Sequence, residues 1–226
     1  MRILIGVPSN RDHSPHFVDN LLRLVRHVDR HGINGNRPEA FDVRIKAQVS
    51  NLPAGRQDLL AEAILGGYTH LLFLDDDMSF PERMMDYLCS EDLPVVAANC
   101  PRKDPSRLLY TALDCKGQML KSKGKTGIEQ VSKVGTGIML IKLEALRGIP
   151  APHFEMPWVQ LRHKYRGEDF TFCTVVGQHG VQVFVDHDLS NLIGHIGSFC
   201  YQFDTFATVD EVKEQAVADY RASVTA

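Results

Sequence analysis

Over its first hundred residues the chain alternates between short apolar runs and amphipathic segments, and this alternation constrains the fold more than any other feature. Arg2 to Val7 reads as an apolar β run ended by Pro8-Ser9-Asn10. From Ser14 to His31 the apolar residues Phe17, Leu21, Leu22, Leu24, Val25 and Val28 recur at helical spacing, and His31-Gly32 reads as a basic last turn with a glycine stop. Phe41 to Val49 alternates as a strand, with Phe41, Val43, Ile45, Ala47 and Val49 on one side. Arg56 to Leu65 reads as a helix closed by Gly66-Gly67. Thr69 to Leu74 is a continuous apolar run, the kind buried on both faces of a parallel sheet. Ser79 with Glu82 three residues on predicts a capping box, with Pro81 in the first helical turn, and Pro94 to Asn99 reads as another buried strand. Strand and helix in turn predict an α/β fold: an open, mostly parallel sheet with helices on both faces.

The second half departs from that rhythm. Leu108 to Leu120, turning at Gly117, and Gln130 to Leu143 read as strands, the latter containing Val134-Gly135-Thr136-Gly137. A helix is expected from Glu168 to Gln178, a strand from Val181 to Val185, and a polar helix from Thr208 to Ser223. With no internal repeat or linker, the chain reads as a single domain over 1–226, with a regular half (1–100) and a smaller, irregular half (101–226).

At 226 residues the chain is long enough to bury a substantial core, and a net charge of −3 marks neither a nucleic-acid nor a membrane partner in bulk. Its five cysteines are widely spaced and include no C-x-x-C, which argues against a disulfide framework and a thiolate metal site. No stretch approaches the ~20 apolar residues of a membrane span, and the N-terminal apolar run is too short for a signal peptide. The expectation is a reduced, soluble, cytoplasmic protein without a membrane span.

The run Thr69–Leu74 walks straight into Asp75, Asp76 and Asp77. Adjacent Cα atoms are only ~3.8 Å apart, so these like charges weaken the fold unless something positive sits among them. In an open parallel sheet ligands bind beyond the carboxyl ends of the strands, where these aspartates lie. On extended backbone Asp75 and Asp77 share a face while Asp76 points elsewhere. Such oxygen ligands suit Mg²⁺ or Mn²⁺, with phosphate oxygens and water filling the shell. The simpler alternative has one aspartate capping the next helix and the others solvated.

Further landmarks follow in order: "GRQD" (55–58) before the aspartate strand, "VGTGIMLIKLEAL" (134–146), "PHFEMPW" (152–158), "RGEDFTFCTVVGQHGVQVFVD" (166–186) and "NLIGHIG" (191–197). Together with the D-x-D stretch they resemble the GT-A fold glycosyltransferases of the family-2-like kind, which bind a sugar nucleotide through a divalent metal. The resemblance covers most of the chain. It implies a GT-A-like sheet, a nucleotide-binding first half and an acceptor and catalytic second half. The implied donor is a nucleotide-sugar, a UDP-sugar favoured, held with Mn²⁺ or Mg²⁺. Asp75 would contact the ribose or the metal, Asp77 would be the main metal ligand, and His195 would complete the shell; without the family His195 is a turn histidine. Asp169 or its neighbour Glu168 would be the general base, although acids also suit a helix's first turn. Gly135, Thr136 and Gly137 would let backbone approach the sugar or, failing that, kink a strand. Pro8 and Ser9 would border the base, Arg56 would help hold the nucleotide, and Asp76 belongs to the same nucleotide-binding set. Transfer would invert the anomeric carbon if Asp169 acts as a base in direct displacement.

On the acceptor side, seven lysines and arginines lie between Pro101 and Thr126. They form a solvated hairpin, a lid over the diphosphate, or a basic surface for a polyanionic acceptor such as DNA. Compact GT-A proteins resembling this one occur in bacteriophages, some of which glycosylate modified DNA bases, so the acceptor hydroxyl belongs to a glycan, a small molecule or DNA. Trp158, with His153, Phe154 and Tyr165 nearby, stacks on a sugar or base, or packs in the core. A metal-dependent nucleotidyltransferase ranks lower, because the segment after the first strand, "GVPSNRDHSPHF", lacks a Gly-rich basic triphosphate signature. A non-catalytic nucleotide-sugar binding module ranks lower as well, because the D-x-D, the E-D pair and the histidine are all intact.

Overall fold

The computed structural model describes residues 1–10, 13–103, 110–197 and 200–201. In chain order its elements are β1 (Arg2–Pro8), α1 (Pro15–His31), β2 (Ala40–Lys46), α2 (Leu52–Leu65), β3 (His70–Leu74), β4 (Met78–Ser79), α3 (Met84–Leu88) and β5 (Val95–Ala98). There follow β6 (Leu113–Asp114), β7 (Ile128–Lys133), β8 (Ile138–Lys142), β9 (Trp158–Val159), β10 (Lys164–Tyr165), α4 (Glu168–Gln178), β11 (Val183–Asp186), α5 (His187–Ser190), β12 (Gly194–Ile196) and β13 (Cys200–Tyr201).

The central sheet has the order β2-β1-β3-β8-β5-β11-β7-β6. β1 runs parallel to β2 and β3, and β5 parallel to β11, while β8 is antiparallel to both β3 and β5. β3 is the hub. Leu71 to Leu74 are 0% exposed, Leu72 and Leu74 packing in one apolar cluster and Leu71 and Phe73 in another on the opposite face. The first cluster takes Phe17, Leu21, Leu24 and Val28 from α1 and Met84, Met85 and Leu88 from α3. The second takes Leu59, Leu60 and Ala63 from α2 and Phe172, Cys173 and Val176 from α4. An apolar run with no polar alternation is thus explained by helices on both faces. Among the described residues, no helix is long and apolar enough to cross a membrane.

Several expectations are corrected. The strand expected over Phe41–Val49 stops at Lys46, because Gln48 takes a left-handed backbone (φ 58°). Asn51 accepts a hydrogen bond from the Ala54 N–H (3.2 Å) and starts α2 at Leu52, a turn before Arg56. The capping box at Ser79 and Glu82 does not form. Ser79 instead pairs with Gly194 as part of β4, and α3 begins only at Met84, without a side-chain cap. Here tertiary pairing takes the backbone groups that a cap would have used. The strand expected over Leu108–Leu120 reduces, in its described part, to β6 and two isolated bridges, Tyr110 with Pro101 and Leu113 with Met119, with Gly117 at the turn (φ 79°). The strand expected over Gln130–Leu143 is two strands, β7 and β8, broken at Val134–Gly137. The second half is also no mere appendage, since β8 lies between β3 and β5 in the middle of the sheet. The helix expected over Thr208–Ser223 lies outside the described residues.

Candidate active site

The carboxyl end of β3, the break between β7 and β8, and the start of α4 meet around one cleft. It encloses about 570 Å³ and is lined by Arg56, Asp75, Asp77, Gly135, Thr136, Gly137, Glu168, Asp169 and His195, together with Leu52, Met78, Cys100, Arg102, Lys103 and Thr111. A smaller cavity of about 280 Å³ shares Leu52, Asp75 and Asp77 with it and adds Pro8, Ser9, Asn10, Val49, Ser50 and Asp76. Every site residue expected from the sequence lines one of these two adjoining spaces.

The three aspartates have different partners. Asp75 Oδ1 accepts from Arg56 (2.8 Å), and Asp76 Oδ2 accepts from the Ser9 hydroxyl (2.6 Å). Asp77 Oδ1 lies 3.2 Å from His195 Nε2, and its Oδ2 accepts from Lys103 Nζ (2.6 Å). Burial alone would push the Asp77 carboxyl up, but His195 and Lys103 outweigh it and hold the group well below the usual carboxylate range. So the repulsion anticipated among the aspartates is relieved in the structure by Arg56 at Asp75 and Lys103 at Asp77, with Asp76 bonded to the Ser9 hydroxyl.

Local pairing explains how His195 gets there. β12 pairs antiparallel with β4, setting His195 opposite Met78, and the Ile196 N–H donates to the Asp77 carbonyl (2.6 Å). Gly137 is equally constrained: its carbonyl accepts from the Asp75 N–H (2.9 Å), and a Cβ there would lie 3.3 Å from both Cys100 Sγ and Met78 Sδ. The glycine segment is therefore a strand break that carries backbone up to the aspartates.

Arg56 is the surprise of the site. It is 1% exposed, bonds Asp75 and also Glu168 (3.4 Å), and stacks over the Phe73 ring (5.4 Å). Burial disfavours its charge, but Asp75 and Glu168 more than compensate and raise its pKa. It bridges the β3 and α4 walls of the cleft. Glu168 is thus partly committed to Arg56, whereas Asp169 faces the cleft with Oδ1 accepting from the Phe170 N–H (2.6 Å). Burial and the neighbouring Glu168 push the Asp169 carboxyl up to about 6. A Cβ at Gly167 would sit 2.6 Å from Asp169 Oδ1, so a side chain there would displace the carboxylate.

The residues implied by the resemblance can be tested against a divalent ion. His195 Nδ1 lies 2.9 Å from the Pro101 carbonyl, which can only accept, so Nδ1 carries a proton. With Nδ1–H committed to that carbonyl, Nε2 is the nitrogen that faces Asp77, and either a proton on Nε2 or a cation between the two satisfies the contact. A ring nitrogen fixed by a backbone carbonyl is the usual support for a metal-ligating histidine. The 3.2 Å separation is close to the edge of an octahedral shell, about 2.9 Å for ligand distances of 2.0–2.1 Å. Among the described residues no three His, Cys, Asp or Glu side chains are gathered to hold a metal. The side chains here offer an ion two ligands, Asp77 and His195, so an ion held between them would need its remaining ligands from phosphate and water. Asp75 points to Arg56 and not to this pair.

Arg102 and Lys103, expected only as members of the basic stretch after Pro101, line the cleft, and so does Thr111, which the sequence did not single out. The available signal was position: 99–103 follows β5, whose carboxyl end lies on the same side of the sheet as the aspartates. Of the aromatic group, Phe154 is core, stacked on Phe172 at 4.8 Å, and His153 is buried. Trp158 is 49% exposed and meets Tyr165 edge-on (5.2 Å) across the β9–β10 hairpin, just before α4.

This sheet, with its acid-rich cleft at the carboxyl end of β3, is a GT-A glycosyltransferase-like fold. Among solved structures, A197 from STIV superposes with a TM-score of 0.60 at 20% identity, over 92% of this chain and 98% of that one. GalNAc-T7, in a structure with UDP, GalNAc and Mn²⁺, superposes with a TM-score of 0.56 at 13% identity, over 90% of this chain. The chain spans 44% of the GalNAc-T7 chain. No protein-family model and no curated protein matches the sequence.

Proposed function

We propose that the chain is a metal-dependent glycosyltransferase that moves a sugar from a nucleotide-sugar, a UDP-sugar favoured, to an acceptor hydroxyl with inversion. The observation that carries this reading is the pairing of Asp77 with His195 on one wall of a cleft whose other wall presents Asp169. The adjoining cavity at Pro8, Ser9 and Asp76 suits the nucleoside, and the backbone at Gly135–Gly137 suits the sugar. A divalent ion, Mn²⁺ or Mg²⁺, held by Asp77 and His195 would stabilise the negative charge on the departing diphosphate.

The chain's own part is positioning and proton transfer. Asp169 takes the proton of the acceptor hydroxyl. The acceptor oxygen bonds to the anomeric carbon as the bond from that carbon to the diphosphate oxygen breaks, leaving its electron pair on the diphosphate. Asp169 suits the role because its raised pKa, about 6, leaves it ionised yet basic near neutrality. Arg56 keeps Glu168 and Asp75 apart from that proton transfer by holding both. The acceptor hydroxyl belongs to a glycan, a small molecule or a modified base in DNA, with Trp158 and Tyr165 offering exposed aromatic surface beside α4.

The test is a thermal-shift panel of UDP, GDP, CDP and their sugars, each with Mn²⁺ and with EDTA. A ligand at ~100 times its dissociation constant stabilises by about 2.7 kcal/mol. A metal-dependent shift with one nucleotide, lost in Asp77→Ala, is the expected outcome. No shift with any nucleotide would sink the reading.

A further inference from the structure

Both oxygens of the Asp77 carboxylate have partners in the chain, His195 Nε2 at Oδ1 and the Lys103 ammonium at Oδ2. Lys103 and Asp77 are partly shielded from solvent, so their attraction is less screened than that of a surface pair. Lys103 belongs to the same short stretch as Pro101, whose carbonyl orients His195. One segment therefore both aims the imidazole and supplies the ammonium. Between them, exposed Arg102 also lines the cleft.

This arrangement sets two cations in competition. A divalent ion on Asp77 and His195 would share one carboxylate with the Lys103 ammonium, and like charges that close repel. Lysine carries a compact charge on a flexible four-carbon stem, so it can leave one anion for another with little backbone movement. A diphosphate entering the cleft offers that second anion, and it brings the oxygen ligands that two protein side chains cannot supply to the metal.

We infer that Lys103 couples metal binding to nucleotide binding: it pairs with Asp77 while no metal is bound and passes to the diphosphate when metal and nucleoside diphosphate bind together. This rests on the metal-dependent donor site proposed above. Metal alone then binds weakly, metal and nucleoside diphosphate strengthen one another, and by linkage each does so by the same factor.

The experiment is Mn²⁺ binding to the full chain, followed by electron paramagnetic resonance and calorimetry, with and without UDP, for wild type and Lys103→Gln. A melting curve on each protein confirms that the variant is folded. The variant is expected to bind Mn²⁺ alone at least tenfold more tightly than wild type. The factor by which UDP improves Mn²⁺ affinity is expected to fall at least tenfold. Equal Mn²⁺ affinity in the two proteins, with equal gain from UDP, overturns the coupling and leaves the metal site standing. Absence of Mn²⁺ binding in both proteins, even with UDP, overturns the metal site and the coupling with it.

Discussion

At the residue scale, Asp169 carries the most testable chemistry. Burial and Glu168 lift its carboxyl to about 6 from an ordinary 3.8, so the folded state holds the proton more tightly than the unfolded chain does. A group raised in this way favours folding below about pH 4, and that contribution is lost as pH rises through about 6. At neutrality Asp169 therefore costs stability. The rise corresponds to about 3 kcal/mol, and partial exposure of the carboxylate brings the expected gain on removing the charge nearer 1–2 kcal/mol. Asp169→Asn should thus melt at a higher temperature than wild type while losing at least ~100-fold in transfer rate, with UDP binding retained. A lower melting temperature would show that the carboxylate is structural. The same pKa gives a second prediction for the proposed transfer reaction. Transfer needs the ionised form, so the rate at low substrate should fall about tenfold per pH unit below about 6. A profile flat down to pH 5 would assign the base to another group.

At the element scale, the approach of α2 to the loop after β2 sets where Arg56 sits. Gly55 lies against Val49, and a Cβ there would come within 2.5 Å of Val49 Cγ1. Gly55→Ala should destabilise by about 1–3 kcal/mol through overpacking. Because the clash involves one side chain, adding Val49→Ala should recover part of the loss, so that the double variant melts higher than the two single losses predict when added. Strict additivity in denaturant titrations would place the strain elsewhere. The same helix delivers Arg56 to Asp75 at the end of β3 and to Glu168 at the start of α4. Three elements distant in sequence are fastened by one buried guanidinium, an arrangement in which Lys could not replace the planar fork.

For the whole molecule, the central sheet separates two apolar cores that share β3. Leu71 packs in one core and Leu72 in the other, each 0% exposed. Truncating either to alanine should cost about 2–5 kcal/mol. Since both side chains hang from one strand, each loss should shift a single unfolding transition, whether followed by circular dichroism or by Trp158 fluorescence. Two separated transitions, each sensitive to only one of the substitutions, would show the cores melting independently.

Some of this molecule is legible from its sequence because it is encoded locally. Helices α1 and α4 begin and end within a residue of where periodicity and caps put them, and the apolar run at 69–74 is the doubly buried strand its composition demands. The three aspartates could be picked out because charge at the end of an apolar strand is locally anomalous, and the glycines at 135 and 137 because they lie inside one, whereas the 168–169 pair and His195 stood out only through the resemblance to GT-A glycosyltransferases. What the local signals could not reveal was pairing. Ser79 reads as a helix cap until β12 claims its backbone, and the antiparallel insertion of β8 between β3 and β5 depends on contacts about seventy residues and forty residues away in the chain. Partnerships among charges were hidden for the same reason. Lys103 reads as one cation of a basic stretch, and only the folded chain sets its ammonium on Asp77. Arg56 is expected to help hold a nucleotide, and only the folded chain shows it buried between Asp75 and Glu168. Local propensity is decided by neighbours in sequence, whereas burial and ion pairing are decided by neighbours in space, and the latter exist only once the sheet has assembled.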